Sequence, residues 1–272
     1  MTQTRKRIFI TGGASGLGRA LAFTYAKAGW DVYIGDVNEK RGVATARDLK
    51  TLHPNQRVEF RRCDVTLLED LQAVSEWLKS NWGGVDTVVN NAGVVAAGAL
   101  AEQPLVDWEW ILNINLLGVV RGCKVFTPLF RAQGHGQFIN IASAAGFAHL
   151  PRMAAYNATK AAVIAVSETL VLELKADHIH VSVVCPTFFR THLIESLRTQ
   201  DAVARSQALK LVTEAKLSAE MIAVVIHRQA EKKRFMIMPD PEAYSVRLLK
   251  GLLPLSLFFR LLERAEKIKL ER

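Results

Sequence analysis

Seven short runs rich in β-branched and other apolar residues punctuate the chain, at 7–11, 31–35, 57–62, 86–90, 137–141, 178–184 and 234–238. They are short enough, and most are uniform enough in apolar character, to be strands buried on both faces. Between them lie longer stretches in which apolar residues recur every three or four positions, at 17–28, 40–52, 67–80, 108–130, 154–176 and 219–230. That spacing predicts helices with one buried face. Regular alternation of the two patterns predicts an α/β chain, a single doubly wound domain with about seven parallel strands and helices on both faces. Crossovers in such a sheet are right-handed, and ligands bind at the carboxyl ends of its strands, so function is expected on the loops that follow them.

The pattern changes at Pro239-Asp240-Pro241, which separates a body, 1–240, from a C-terminal amphipathic tail, 241–272. Leu248, Leu252, Leu255, Phe259 and Leu262 follow one another by three or four residues and make one apolar helical face, widened by Leu249, Leu253 and Phe258. Arg247, Lys250, Arg260, Arg264, Lys267 and Lys269 supply a cationic complement. Pro254 is expected to kink or divide the helix, since it lacks the amide donor and crowds the preceding turn.

Composition narrows the partners. Half of the residues are hydrophobic and 22% are charged, which suits a compact core rather than a disordered chain. The formal net charge of +9 is concentrated near the C-terminus, where residues 228–272 hold 11 Lys and Arg against 6 Asp and Glu. With no basic run interleaved with aromatics, nucleic acid is not an expected partner. Cys63, Cys123 and Cys185 are odd in number and far apart, with no metal-ligand spacing. Reduced thiols, a cytoplasmic location and no metal are therefore expected. Arg5, Lys6 and Arg7 precede an apolar run of only three residues, too short for a signal segment, and no stretch reaches spanning length.

The first predicted strand empties into Thr11-Gly12-Gly13-Ala14-Ser15-Gly16-Leu17-Gly18, directly before a predicted helix. Glycines there allow a tight turn and close backbone approach to a pyrophosphate, whose charge is stabilised by the free amides of the helix N-terminus. The expected contacts are Gly12, Ser15, Gly16, Leu17 and Gly18. This makes the sheet Rossmann-type. Asp36 ends the second strand, where a carboxylate accepts both ribose hydroxyls and repels a 2′-phosphate; no Arg or Lys stands at Ser15, Val37 or Asn38. NAD is therefore expected in preference to NADP. Asp64 and Val65 after the third strand, and Asn91, Ala92 and Gly93 after the fourth, fall at the same end of the sheet.

Tyr156 and Lys160 are four residues apart on a predicted helix and so share a face. An ammonium at about 5 Å contributes roughly 3 kcal/mol at an effective dielectric near 20, so Lys160 is expected to draw the Tyr156 phenol toward the range of a general acid/base at neutral pH. Ser143 follows the fifth strand and Asn115 lies in the preceding helical segment. The Thr-Gly-x-x-x-Gly-x-Gly turn, Asn90-Asn91-Ala92-Gly93, Asn115, Ser143 and Tyr156-x-x-x-Lys160 together closely resemble the short-chain dehydrogenase/reductase family over about residues 5–240.

The resemblance implies an oxidoreductase that moves a hydride between a nicotinamide cofactor and a hydroxyl or carbonyl carbon. Tyr156 would exchange the proton with the substrate oxygen, and Ser143 would donate a hydrogen bond to it. Lys160 would hold the nicotinamide ribose, while Asn115 would anchor a water relay. Pro186-Thr187 stands where the family usually has Pro-Gly; Thr187 and Thr191 would contact the nicotinamide carboxamide. The resemblance also implies a homodimer or homotetramer, with 188–211 as a mobile lid.

Phe147, Leu150, Met153, Phe188 and Phe189 are expected to wall the catalytic oxygen, which suits a secondary alcohol or ketone on a hydrophobic body. A catalytically idle NAD-binding sensor of the same fold is the competing reading, though it has no use for Ser143, Tyr156 and Lys160 together. His149 and His192 read as surface or wall residues and Cys185 as strand-end packing. The tail is expected to pack on the domain or a second subunit, with peripheral contact to anionic lipid as the alternative.

Overall fold

The computed structural model describes residues 5–270, with the side chains of 265–270 outside the described set. Lys267 and Lys269, counted above in the cationic face of the tail, therefore lie outside the described side chains. Seven parallel strands run in the order β3-β2-β1-β4-β5-β6-β7: β1 Arg7–Thr11, β2 Asp31–Asp36, β3 Val58–Arg62, β4 Thr87–Asn90, β5 Gly136–Ile141, β6 Ile179–Val184 and β7 Met236–Ile237. The helices are α1 Gly16–Lys27, α2 Glu39–Leu52, α3 Leu68–Trp82, α4 Leu105–Asn115, α5 Leu117–Gln133, α6 Ala154–Glu173, α7 Ala202–Thr213, α8 Ala219–Glu231, α9 Pro241–Leu252 and α10 Leu255–Leu270. This is the doubly wound, Rossmann-type fold expected from the alternation of patterns.

Successive residues of β1 show why both faces must be covered. Phe9 packs with Tyr33, Phe126 and Phe138 on one side of the sheet, while Ile8 and Ile10 pack with Leu21 and Ile34 on the other. Side chains alternate across a strand, so a central strand that is apolar at every position needs a helical layer on each face. Because β1 lies between β2 and β4, the chain leaves it in opposite directions. The crevice opens at that switch point.

Two elements differ from expectation. The single helix expected at 108–130 is two, meeting at Leu116. Anchors on either side account for the break: the Asn115 amide is bonded to the backbone of Val94, and Gly118 packs so closely on Val65 that a Cβ would lie 2.9 Å from its methyl. Helix α7 was not foreseen. Its buried residues are only Ala204 and Ala208, too small to give an apolar period, although its cap was legible in Asp201, whose carboxylate accepts from the amides of Val203 and Ala204. The tail divides at Pro254 into α9 and α10, as its ring requires.

Candidate active site

The turn after β1 is shaped by what it must avoid. Gly12 and Gly16 have φ of 62° and 51°, in the left-handed region that favours glycine. A Cβ on Gly18 would stand 2.1 Å from the Gly12 carbonyl oxygen, so Gly18 serves the packing of the turn against α1. Thr11 and Asn91 lock this turn to the β4 loop. The Thr11 hydroxyl accepts from the amides of Asn91 and Ala92, at 2.9 and 3.1 Å. In return the Asn91 amide donates to the carbonyls of Thr11 and Gly12. Asn91 therefore braces the cradle with its side chain, and Thr11 is a functional position that sequence reasoning passed over.

Ser15 precedes α1 without accepting a side-chain capping bond. The first-turn amides of α1 thus keep their donors for an anion, helped by the positive end of the helix dipole. Asp36 is buried at the tip of β2. Its two oxygens accept from the amides of Ala14 and Asn38, at 3.0 and 2.9 Å, which holds the carboxylate toward the turn with further lone pairs free. This glycine cradle, uncapped helix start and oriented carboxylate fit a nicotinamide dinucleotide.

Tyr156 and Lys160 sit in the first two turns of α6, both buried. The Lys160 ammonium lies 5.6 Å from the centre of the Tyr156 ring and donates to the Ile141 carbonyl at 2.9 Å. Ser143 begins the loop after β5, its hydroxyl accepting from the Ala145 amide at 3.1 Å and donating to the Pro186 carbonyl at 3.4 Å. Burial pushes the Tyr156 phenol up to about 12, only partly offset by the neighbouring Ser143 hydroxyl. Burial also pushes Lys160 down to about 8, against a smaller opposing effect from Cys185. The phenol thus shifts opposite to the lowering expected from Lys160, because desolvation works against both charged forms, phenolate and ammonium.

Asn115, at the end of α4, is tied to the β4 loop. It is fully buried, accepts from the Val94 amide at 2.8 Å, and donates to the Val94 carbonyl and the Thr159 hydroxyl at 2.9 and 3.4 Å. Both amide donors are thus spent on the protein, and the side chain braces the β4 loop.

A cavity of about 700 Å³ runs from the glycine turn past Tyr156. Of the expected site residues, Gly12, Ser15, Gly16, Leu17, Asp36, Asp64, Val65, Asn91, Ala92, Gly93, Ser143, Tyr156, Lys160, Pro186, Thr187 and Thr191 line it, and Gly18 and Asn115 stand behind its wall. Thr187 needs no glycine-like backbone: the described non-glycine residues with positive φ are Arg152, His178 and Lys233. The Thr187 amide instead donates to Asp240 at 3.0 Å. Thr191 reaches over the glycine turn, where a Cβ on Gly16 would lie 2.8 Å from its hydroxyl.

Beyond Tyr156 the wall is mainly apolar, with Leu150, Met153, Phe188, Phe189, Ile194 and Leu211, interrupted by Arg152, Gln207, Lys210 and Glu242. Phe147 does not join it, being packed in the core beneath. Arg41, Glu195 and Leu262 line the cavity and had not been foreseen. Periodicity carries no sign of contacts between such distant elements. His149 lies off this cavity, whereas His192 is on its wall. Cys185 is buried, its thiol pushed up to about 12 by burial, as suits strand-end packing.

Comparison with known proteins agrees with this geometry. The family pattern described as short chain dehydrogenase matches residues 6–202. The chain is 29% identical over 255 residues to a CLA biosynthesis dehydrogenase/reductase of Lactiplantibacillus plantarum, covering 87% of this chain and 88% of that one. Against the probable oxidoreductase EphD of Mycobacterium tuberculosis it is 28% identical over 260 residues, 92% of this chain but only 43% of that longer one. A short chain dehydrogenase/reductase from Burkholderia phymatum, solved in complex with NAD, superimposes with a TM-score of 0.84 at 29% identity, over 100% of this chain and 97% of the other. A solved short-chain dehydrogenase from Sphingobium yanoikuyae, 27% identical with a TM-score of 0.77 over 90% of this chain and 92% of that one, holds NADPH.

Proposed function

The chain belongs to the short-chain dehydrogenase family, and from that premise we propose that it is an NAD-dependent oxidoreductase interconverting a secondary alcohol and a ketone on a hydrophobic substrate. One observation carries the reading. Ser143, Tyr156 and Lys160 meet where the cofactor cradle passes into the apolar part of the same cavity. When bound, the nicotinamide supplies the hydride chemistry.

The chain's own residues handle the proton and the developing charge. Tyr156 exchanges a proton with the substrate oxygen, and its raised pKa makes the neutral phenol the resting form, ready to donate during ketone reduction. Ser143 donates a hydrogen bond to the same oxygen and stabilises charge there. Lys160, held by the Ile141 carbonyl, binds the ribose beside the reacting carbon. Asp36 accepts the adenosine ribose hydroxyls and opposes a 2′-phosphate. Thr187 and Thr191 hold the carboxamide end, and the segment through α7 covers the substrate. Three buried free thiols support a cytoplasmic setting. The exposed Leu105, Val106 and Leu117 of α4 and α5 support contact between subunits of a homodimer or homotetramer.

The decisive test is Tyr156→Phe against the unaltered protein on a panel of hydrophobic secondary alcohols with NAD. The variant is expected to lose kcat by at least about a hundredfold while still binding NAD. Near-normal turnover by the variant would sink the assignment. Tight NAD binding without turnover of any alcohol or ketone by the unaltered protein would favour the idle sensor.

A further inference from the structure

Helix α9 is built inside out for a surface helix. Its inward side is small or polar: Ala243 is buried, Val246 is half-buried, and Lys250 donates to the Phe147 carbonyl at 2.8 Å. The opposite side, four residues apart, consists of Tyr244, Leu248 and Leu252, at 58%, 48% and 72% exposure. Leu249 widens that face, and after the Pro254 elbow Leu255, Leu257, Phe259 and Leu261 of α10 are also exposed, on the two flanks of its inward side. Arg260 and Arg264, four residues apart and exposed, lie beside it. The other side of α10 turns inward, with Phe258 buried at 3% exposure and Leu262 on the wall of the catalytic cavity.

We infer that the outer face of the α9–α10 elbow docks on a membrane surface containing anionic lipid, with the catalytic cavity beside the docked face. An apolar face of this width flanked by arginines matches the two layers of a lipid surface, acyl boundary and phosphate headgroups. Residues 241–264 carry four cations against two carboxylates, so a second copy seated on the same face would bring like charges together. Subunit contacts have another exposed apolar face available on α4 and α5. Leu262 links the docked helix to the cavity wall, which gives a lipid-like substrate a short path from bilayer to Tyr156. That last step rests on the proposed catalytic function; the docking surface does not.

Co-sedimentation of the full chain with vesicles of phosphatidylcholine alone, and of phosphatidylcholine with phosphatidylserine, tests the inference alongside the double variant Leu248→Glu/Leu252→Glu. The unaltered protein is expected to sediment with the serine-containing vesicles and to be released by salt. The variant's bound fraction should fall by at least about tenfold, with kcat on a short soluble alcohol unchanged. Failure of the unaltered protein to sediment with either vesicle overturns the inference, and equal sedimentation with both overturns the anionic assignment. A lower oligomer mass for the variant in light scattering, with no vesicle binding by the unaltered protein, assigns the face to a second copy instead. Vesicle binding without NAD-linked turnover would sink the catalytic reading and leave the docking surface standing.

Discussion

Arg41 of α2 and Glu195 of the one-turn helix His192–Ser196 meet across the cofactor cleft, with guanidinium and carboxylate 2.8 Å apart. His192 holds the other carboxylate oxygen at 2.6 Å, and both neighbours keep Glu195 below the usual carboxylate range, His192 most. The pair straps the covering segment to the adenosine side of the cleft. It also engages Arg41, which lines the cavity together with Asp36 and could receive a 2′-phosphate.

Cofactor choice should therefore answer to two residues. An exposed pair of this kind is worth at most about 1 kcal/mol after solvent screening, so Glu195→Gln is expected to narrow the NAD-to-NADP ratio of kcat/KM by roughly fivefold. Asp36→Ala removes both the ribose contact and the repulsion and should narrow it by roughly a hundredfold. Equal efficiency of the unaltered protein with both cofactors would contradict the assignment.

Ketone reduction should fall as pH rises. Tyr156, pushed up to about 12, stays protonated across the neutral range, whereas Lys160, lowered to about 8, is charged below that pH and neutral above it. The reductive rate is expected to hold below about pH 8 and decline beyond it, as the Lys160 charge that binds the ribose is lost. A reductive profile flat to pH 10, measured by stopped-flow with NADH, would assign the limb elsewhere.

Asn115→Ala should act first on stability. It leaves the Val94 amide and carbonyl without their partners, a loss of about 2–3 kcal/mol for a buried polar pair. A chain of this size should then melt roughly 4–12 °C lower by calorimetry. An unchanged melting temperature with lost activity would instead support a direct part for Asn115 in proton transfer.

Leu262 should set substrate reach. Leu262→Glu places a carboxylate on the apolar cavity wall and is expected to lower kcat/KM for long-chain secondary alcohols by roughly tenfold or more. Short alcohols, turned over near Tyr156, should be little affected. Equal losses on both would show that the residue acts on folding instead.

Local and periodic features were legible in the residues themselves. The strand-to-helix alternation, the glycine turn after β1, Asp36 at the tip of β2 and the four-residue spacing of Tyr156 and Lys160 each depend on backbone geometry within a few residues, which composition and spacing encode directly. The division of the tail at Pro254 followed from a single ring. Helix α7 escaped because alanine buries too little surface to leave a period.

Tertiary structure alone decided the rest. Arg41 meets Glu195, Leu262 reaches the cavity of Tyr156, and Asn115 closes on Val94 only because the sheet brings together loops far apart in the chain. The acidity of Tyr156 is the sharpest case. Spacing placed a cation beside it and so predicted a lowered pKa, but desolvation is set by every group packed around the phenol, which the spacing of two residues does not carry.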